Sequence, residues 1–286
     1  MYGERNCERI KKIGVNLKMK QHIFFFDIDG TISDGFNGGK HEISNVLKGA
    51  LKQLKEKGHF IFIATGRPFA YLNDDILSCE FDGFILSNGA VAMKDGKILK
   101  EIIIPKQVVK DLVNAMEKHH ARYFLDYIHE VYFSKNGSEA NELFGNTIVK
   151  NGTIIREFDL DEIVVTKVEI NDLTEGMIEY LKVMEQDGYE LVWYPRINYA
   201  EVTMPGATKG KMITEVLRLL NIPKERSVAF GDGDNDIAMF KEVGYSVAMG
   251  NGTDAIKAIA DKITETCANE GIVRELQRLG FIERMI

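Results

Sequence analysis

The sequence is poor in the residues that staple or stiffen small secreted folds. Its 286 residues include only 3 Cys and 5 Pro. The cysteines, Cys7, Cys79 and Cys267, are scattered and show no C-x-x-C spacing. Such a set excludes a disulfide framework and a zinc ribbon, and it fits a reducing compartment. We therefore expect a cytoplasmic protein that folds on a hydrophobic core, with Cys79 and Cys267 as core thiols.

The sequence also lacks a long apolar run and an excess of positive charge. The longest apolar runs, around 22–26 and 60–64, are far shorter than the roughly 20 residues that span a bilayer. Asp and Glu number 43 and Lys and Arg 36, which gives a net charge of −7. No overall basic field therefore attracts nucleic acid or an anionic membrane. We expect neither of them as a partner.

Residues 1–21 are predicted to form an amino-terminal extension. They carry several basic residues but no unbroken apolar segment of the length that a secretory signal requires. The acids Glu4 and Glu8 argue against a transit peptide. Because the first predicted strand begins only after Met19, that methionine is a candidate for the natural first residue.

Short apolar runs alternate with helix-like segments over much of the chain. Near-continuous apolar runs are typical of strands that are buried on both faces. They cover 22–26, 60–64, 84–87, 228–230, 245–249 and 261–264. Between the first two runs, Ser44 can cap a helix that ends at Gly58. This alternation predicts an α/β fold with a doubly wound parallel sheet, which binds ligands at the carboxyl ends of its strands.

Residues 91–205 show a different pattern. A helix-like segment precedes two short strand-like runs, and this unit occurs twice. The helices cover 106–118 and 174–186, and the strands cover 123–126, 131–133, 189–193 and 199–203. Strands with short connections pair antiparallel. We therefore predict an α+β cap domain at 91–205, inserted into a catalytic core of 22–90 and 206–286 and placed over the strand ends as a lid.

Two carboxylates follow the first predicted strand, in the segment Asp27-Ile28-Asp29-Gly30-Thr31. Alternation along an extended backbone sends Asp27 and Asp29 to the same side. Unpaired carboxylates at the end of a buried strand are costly unless a cation or a proton compensates them. The pair therefore favours a metal or catalytic site over the alternative, an aspartate that only caps a turn at Gly30.

A second acidic segment, Gly231-Asp232-Gly233-Asp234-Asn235-Asp236, follows the strand at 228–230. It is not an EF-hand loop, because Ile237 stands where that loop needs Gly and Val243 where it needs Glu. It is not a dinucleotide-binding fingerprint either, because Asp236 replaces the third Gly and would repel a pyrophosphate. The remaining interpretation is a strand-end site for a hard cation such as Mg²⁺.

Two further segments carry groups that suit an anion. The second predicted strand ends at Thr65-Gly66-Arg67, which offers a hydroxyl, an accessible backbone N–H and a cation. Lys209 stands at the start of a helix. Each has an ordinary alternative, a simple turn for the first and a solvated lysine for the second. Their meaning depends on whether the fold brings them to the acids.

Taken in order, these segments resemble the four motifs of the haloacid dehalogenase superfamily of phosphotransferases. The matching segments are 27–31, 65–67, Lys209-Gly210 and 231–236. The segments 87–90 and 249–252 further resemble the Cof-type sugar-phosphatase subgroup, whose large α/β cap is inserted between the second and third motifs. The resemblance covers nearly all of 22–280, and it covers the cap by pattern and position only.

The resemblance implies roles for the motif residues. Asp27 would attack phosphorus and form an aspartyl-phosphate, and Asp29 would be the general acid for the leaving alcohol and then the general base for water. The Thr65 hydroxyl, the Gly66 amide and Lys209 would gather the phosphate oxygens.

Mg²⁺ is the implied cofactor. Its ligands would be the Asp27 carboxylate, the Asp29 backbone carbonyl and Asp232, with Asn235 and Asp236 in outer or water-mediated contacts. Possible substrate contacts are Arg67, Asn88 and Arg196. Arg196 lies between the last two cap strands, where the alternative is a hairpin-turn arginine in solvent.

The expected substrate is a small phosphate ester, with sugar phosphates first and flavin mononucleotide or pyridoxal phosphate as other candidates. One alternative is a phosphomutase of the phosphomannomutase type, which resembles this core and has a related cap. Such an enzyme must retain a bisphosphate and exclude water. Another alternative is a non-catalytic phosphate-binding protein.

Overall fold

The computed structural model describes residues 20–34, 42–134 and 147–285. Nearly all of the predicted amino-terminal extension, including Cys7 and Met19, lies outside these ranges. Among the described helices, none combines the length and the apolar character that crossing a bilayer requires. The helices are α1 (Asn45–Glu56), α2 (Asp74–Leu77), α3 (Lys106–Lys118), α4 (Glu175–Gln186), α5 (Lys209–Leu219), α6 (Ile237–Glu242), α7 (Asp254–Ile259) and α8 (Gly271–Arg278).

The described strands form two sheets. The larger sheet contains β1 (Ile23–Phe26), β2 (Phe60–Ala64), β3 (Gly83–Leu86), β4 (Val91–Lys94), β5 (Lys97–Glu101), β12 (Ser227–Gly231), β13 (Tyr245–Ala248) and β14 (Lys262–Ile263). Its strand order is β14-β13-β12-β1-β2-β3-β4-β5. The six strands from β14 to β3 are parallel, and β4 and β5 are antiparallel additions at one edge.

The smaller sheet contains β6 (Arg122–Asp126), β7 (Glu130–Phe133), β8 (Thr153–Ile155), β9 (Lys167–Asn171), β10 (Glu190–Tyr194) and β11 (Tyr199–Thr203). Its order is β10-β11-β9-β6-β7-β8, and all pairs are antiparallel except β7 with β8. The apolar sides of α3 and α4 pack against one face of this sheet. We call the described residues of 106–203 the cap and the remaining described residues the core.

The central strand, β1, explains why its sequence is apolar at every position. Phe24 and Phe26 point into one hydrophobic cluster, and Ile23 and Phe25 point into a second cluster on the other side of the sheet. All four side chains are fully buried, as expected for a parallel strand that is covered on both faces. The predicted α/β fold with a parallel-sheet core is confirmed.

The structure corrects the predicted start of the insertion at 91. Residues Val91–Glu101 form β4 and β5, which extend the larger sheet, and the chain reaches the cap only at α3. The sequence pattern could not assign this hairpin to a sheet, because two strands joined by a tight Asp95-Gly96 turn have the same local pattern in either sheet. Strands β8 and β9 are also absent from the prediction.

Cys79 and Cys267 are half-buried and pack against the core cluster that contains Phe24.

A pair of buried histidines lies where β1 and β2 begin. The backbone N–H of His22 donates a hydrogen bond to His59 Nδ1 at 3.2 Å, and both rings pack edge-on against Phe281. Burial, and then the nearby charges of His22 and Lys57, lower the pKa of His59 from 6.5 to about 4. The folded protein therefore favours the neutral imidazole.

We expect His59 to contribute less to the free energy of unfolding as the pH falls from 6.5 towards 4. In this window the unfolded chain binds a proton at His59 and the folded chain does not. The contribution of His59 to the free energy of unfolding therefore increases with pH. The contribution of His59, complete above pH 6.5, is on the order of 3 kcal/mol. Between pH 4 and 6.5, the slope of the free energy of unfolding against pH, measured by urea unfolding, should be less positive in His59→Phe than in the wild type. Equal dependence in both proteins would contradict this assignment.

Candidate active site

Three aspartates from two neighbouring strands meet at one edge of the larger sheet. Asp27 directly follows β1, and Asp232 and Asp236 follow β12, its parallel neighbour. One carboxylate oxygen from each residue lies within 4.8 Å of the other two. They meet because the carboxyl ends of parallel strands share one edge of the sheet. The structure thus brings together the Asp27 and Asp232 carboxylates, which the sequence predicts as metal ligands.

Glycine allows the two acidic loops to approach each other. Gly30 has a φ of +87°, and a Cβ at this position would lie 2.2 Å from Asp232 Oδ2. The Thr31 hydroxyl donates a hydrogen bond to Asp232 Oδ1 at 2.8 Å. The Asn251 side-chain amide donates to the Gly30 carbonyl at 2.7 Å. The turn after β1 therefore fixes the position of the Asp232 carboxylate.

Lys209 is the cation of this site. It begins α5, its side chain is 1% exposed, and its Nζ lies 2.7 Å from Asp27 Oδ1 and 2.6 Å from Asp236 Oδ1. Burial disfavours the charged form, but the carboxylates of Asp236 and Asp27 raise the pKa of Lys209 above its usual value. Lys209 is therefore an ammonium ion held against the carboxylate of Asp27, not a solvated lysine.

Asp236 is fully buried, and contacts within the fold occupy both of its oxygens. Its Oδ2 accepts hydrogen bonds from the backbone N–H groups of Asp232 and Gly233, each at 3.1 Å, and its Oδ1 faces Lys209. These contacts leave the Asp27 and Asp232 carboxylates better placed to bind a cation directly. Asn235 is half-buried in the same loop.

The site carries more negative than positive charge. Burial raises the pKa of Asp27 well above its usual value; Lys209 opposes this shift, and the nearby aspartates add to it. Burial and the charge of Asp236 raise the pKa of Asp232 to about 7. A divalent cation would compensate this surplus, and an all-oxygen donor set fits Mg²⁺. The residues present therefore fit the predicted metal.

Asp29, the predicted general acid, is paired with Arg67. The Arg67 Nε and Nη2 lie 2.9 Å from Asp29 Oδ2 and 2.5 Å from Oδ1, respectively. Arg67 was predicted as a substrate contact; in this structure it holds Asp29. A planar guanidinium matches a carboxylate in this two-pronged geometry. Proton transfer by Asp29 therefore requires it to share or leave this partner.

The loop of residues 65–67 lies beside a turn of unusual backbone geometry. The Thr65 carbonyl accepts a hydrogen bond from Asn88 N, and the Arg67 carbonyl accepts one from Ser87 N, each at 3.1 Å. Ser87, Asn88 and Gly89 all have positive φ. A Cβ at Gly89 would lie 2.3 Å from the Thr208 carbonyl, directly before Lys209. The turn therefore supports the 65–67 loop on one side and the start of α5 on the other.

The two other predicted substrate contacts differ in their surroundings. Asn88 is buried, and its side-chain amide donates to Glu201 Oε2 of the cap at 2.6 Å. Arg196 is exposed in the turn between β10 and β11. The structure thus places Asn88 between core and cap, and Arg196 at the tip of a cap hairpin.

Sequence reasoning missed a buried group of charged cap residues that faces the core. Its members are Asp126, Lys167, Glu169 and Glu201. The signal was present in β9, where charged and apolar residues alternate through Lys167-Val168-Glu169-Ile170. Alternation is usually taken to mean that the polar face meets water. Here the polar face meets the core.

A family model of haloacid dehalogenase-like hydrolases matches residues 24–276 of this chain. The chain is 29% identical over 273 residues to the 5-amino-6-(5-phospho-D-ribitylamino)uracil phosphatase YitU of Bacillus subtilis, covering 91% of this chain and 98% of that protein. It is 26% identical over 279 residues to the phosphoglycolate phosphatase of Nitrosopumilus maritimus, covering 92% and 98%.

Solved structures show the same likeness. The HAD subclass IIB sugar phosphatase BT4131 superposes with a TM-score of 0.77 at 29% sequence identity, covering 92% of this chain and all of that one. The match spans both the core and the cap. The chain belongs to the haloacid dehalogenase-like hydrolase family and to its Cof-type phosphatase branch, as its motifs predicted.

Proposed function

We propose that this protein hydrolyses small phosphorylated metabolites, sugar phosphates above all, through an aspartyl-phosphate on Asp27 and with the help of Mg²⁺. One observation carries the proposal. A buried carboxylate lies at the carboxyl end of the central strand, 2.7 Å from a buried ammonium and next to two further acids. This arrangement suits a nucleophile that must approach an anion.

In the first half of the reaction, an Asp27 oxygen attacks phosphorus, and the bond from phosphorus to the leaving oxygen breaks. Asp29 donates a proton to that oxygen. The Thr65 hydroxyl, the Gly66 N–H and the Lys209 ammonium stabilise the charge on the other phosphoryl oxygens. In the second half, Asp29 takes a proton from a water molecule that attacks the aspartyl-phosphate, which releases phosphate and restores Asp27.

The Asp27 and Asp232 carboxylates and the Asp29 backbone carbonyl would hold Mg²⁺, with Asp236 and Asn235 contacting its water molecules. When bound, the ion supplies positive charge that offsets the repulsion between a carboxylate and a phosphate dianion. Thr31 supports this assignment, because its hydroxyl fixes one oxygen of Asp232.

The relatives support a hydroxylated leaving group. One acts on a phosphorylated ribitylamino compound and another is a sugar phosphatase. Sugar and polyol phosphates are therefore the first candidates, and flavin mononucleotide and pyridoxal phosphate follow. We also propose a cytoplasmic location, which is supported by the free thiols of Cys79 and Cys267.

Phosphate release from a panel of phosphorylated metabolites tests the function. We expect turnover with Mg²⁺ and a loss on the order of 10²-fold or more after EDTA treatment, restored by added Mg²⁺, because a bound metal contributes several kcal/mol of charge stabilisation. A hexose 1-phosphate should yield free phosphate without hexose 6-phosphate. Formation of the 6-phosphate would favour a phosphomutase. Phosphate binding without turnover on any substrate would favour a non-catalytic protein.

A further inference from the structure

Lys167, the first residue of β9, is a buried cation that the proposed mechanism does not use. Its side chain is 1% exposed, and its Nζ lies 2.5 Å from Glu169 Oε1, 3.1 Å from Glu201 Oε1 and 3.3 Å from Asp126 Oδ2. The strands that carry these residues, β6, β9 and β11, are neighbours in the smaller sheet. The four charged side chains lie on the face opposite α3 and α4, because Val168 and Ile170 point towards those helices.

The fourth partner of Lys167 belongs to the core. Its Nζ donates a hydrogen bond to the Gly66 carbonyl oxygen at 3.0 Å. The carbonyls of the flanking residues, Thr65 and Arg67, accept their hydrogen bonds from the backbone of the 87–89 turn, also in the core. Within the described part of the chain, the middle carbonyl of the 65–67 loop is thus held by a side chain of the cap.

Gly66 needs an external restraint for a physical reason. It has no side chain, so its backbone torsions are the freest in the loop. The peptide unit after Gly66 is planar, and its N–H donates a hydrogen bond to the Thr65 hydroxyl oxygen at 3.2 Å. The contact of Lys167 with the Gly66 carbonyl holds the other side of this unit and adds a second restraint on the rotation that aims the Gly66 N–H. An ammonium at 3.0 Å provides this restraint only when the cap lies against the core.

The carboxylates around Lys167 keep it charged and aimed. Burial disfavours the ammonium, but Glu169, Glu201 and Asp126 together raise the pKa of Lys167 well above its usual value. The same group contacts the core a second time, where Asn88 donates to Glu201 at 2.6 Å. One buried group of the cap therefore touches both the 65–67 loop and the turn that supports it.

We propose that Lys167 is a positioning residue that orders the phosphate-binding loop when the cap meets the core. In this role its ammonium acts on Gly66 and not on the substrate. The inference rests on the proposed function, because it takes the 65–67 loop as the site that binds the transferred phosphoryl group. It makes the order of a core loop depend on a residue of the cap.

The test compares two variants that differ only at Lys167. Lys167→Met in a Glu169→Gln background removes one cation and one anion, so the formal charge of the group is that of the wild type. Glu169→Gln alone is the matched control, because it retains the contact between Lys167 and Gly66.

Calorimetry measures the affinity of each protein for orthovanadate in the presence of Mg²⁺. Kinetics measure kcat and KM for acetyl phosphate, whose leaving group is too small to need recognition by the cap.

Relative to Glu169→Gln, we expect the double variant to bind vanadate about 10-fold more weakly or worse, and to show a comparable loss of kcat with acetyl phosphate. Equal vanadate affinity and equal kcat in the two proteins would overturn the proposal. So would a loss confined to sugar phosphates, because that result would make Lys167 a contact of the leaving group. If the double variant does not fold, Lys167→Met in a Glu201→Gln background is compared with Glu201→Gln alone by the same ratios, because this pair also removes the donor to Gly66 and keeps the formal charge of the group.

The two proposals fail in different ways. If the wild type and Glu169→Gln hydrolyse no phosphate ester, the proposed function fails. The vanadate comparison needs no turnover, and it decides the role of Lys167 on its own.

Discussion

Asp27→Asn is expected to reduce kcat/KM for phosphate release on the order of 10⁴-fold or more, as the loss of a nucleophile does in other enzymes. A carboxamide has no anionic oxygen with which to attack phosphorus. It has the size of the carboxylate and keeps an oxygen that can accept the hydrogen bond from Lys209 Nζ, now 2.7 Å from Asp27. The variant should therefore fold like the wild type and lose only its chemistry.

Stability provides the control for this variant. Because burial raises the pKa of Asp27 well above its usual value, the charged carboxylate is less favourable in the folded protein than in the unfolded chain. Replacing it by a neutral amide should leave the melting temperature unchanged or higher.

A beryllofluoride adduct should form on Asp27 in the wild type and be absent from the variant. Residual activity within about 10²-fold of the wild type, in protein whose mass spectrum shows no deamidation back to aspartate at this position, would exclude Asp27 as the nucleophile.

Lys209→Met is expected to reduce kcat/KM by about 10²–10³-fold, which corresponds to a loss of about 2–4 kcal/mol of transition-state stabilisation. The ammonium is in place before substrate binds, because Asp27 and Asp236 hold it at 2.7 and 2.6 Å. Its removal also leaves the buried Asp236 without its cation. Breaking a buried pair costs about 3–5 kcal/mol of stability, so we expect a clear decrease in the free energy of unfolding.

Lys211→Met is the matched control, because Lys211 is exposed in the same turn of α5. It should leave both kcat/KM and stability close to those of the wild type. Urea unfolding and phosphate release, measured on each variant at a temperature where both are folded, separate the two effects of Lys209. Near-normal hydrolysis by the folded Lys209→Met protein would remove Lys209 from the proposed mechanism.

The sequence predicted those parts of the fold and site that depend on local pattern. A strand such as β1 must be apolar at every position when both of its faces are covered, so its position could be identified. Acids at the ends of parallel strands must meet at one edge, and this rule predicted that Asp27 and Asp232 lie together.

Features that depend on distant partners could not be predicted. The hairpin of β4 and β5 has the same local pattern in either sheet, and only its pairing with β3 assigns it to the core. Charged residues in β9 look like a solvated face unless it is known that the core covers them. The pair of Asp29 with Arg67 depends on how the loops after two different strands meet, and the spacing of residues along the chain does not predict this contact.

The strand order has a consequence for synthesis on the ribosome. β1 lies between β2, which follows it closely, and β12, which comes from beyond the cap. Asp27 and Lys209 are 182 residues apart, and at translation speeds of about 5–20 residues per second Lys209 is added roughly 10–40 s after Asp27. During that time the nascent chain carries β1 without its partner strand β12 on one edge, and the Asp27 carboxylate without Lys209. The six strands of the smaller sheet are all synthesised within this interval, so the cap can fold before the core is complete.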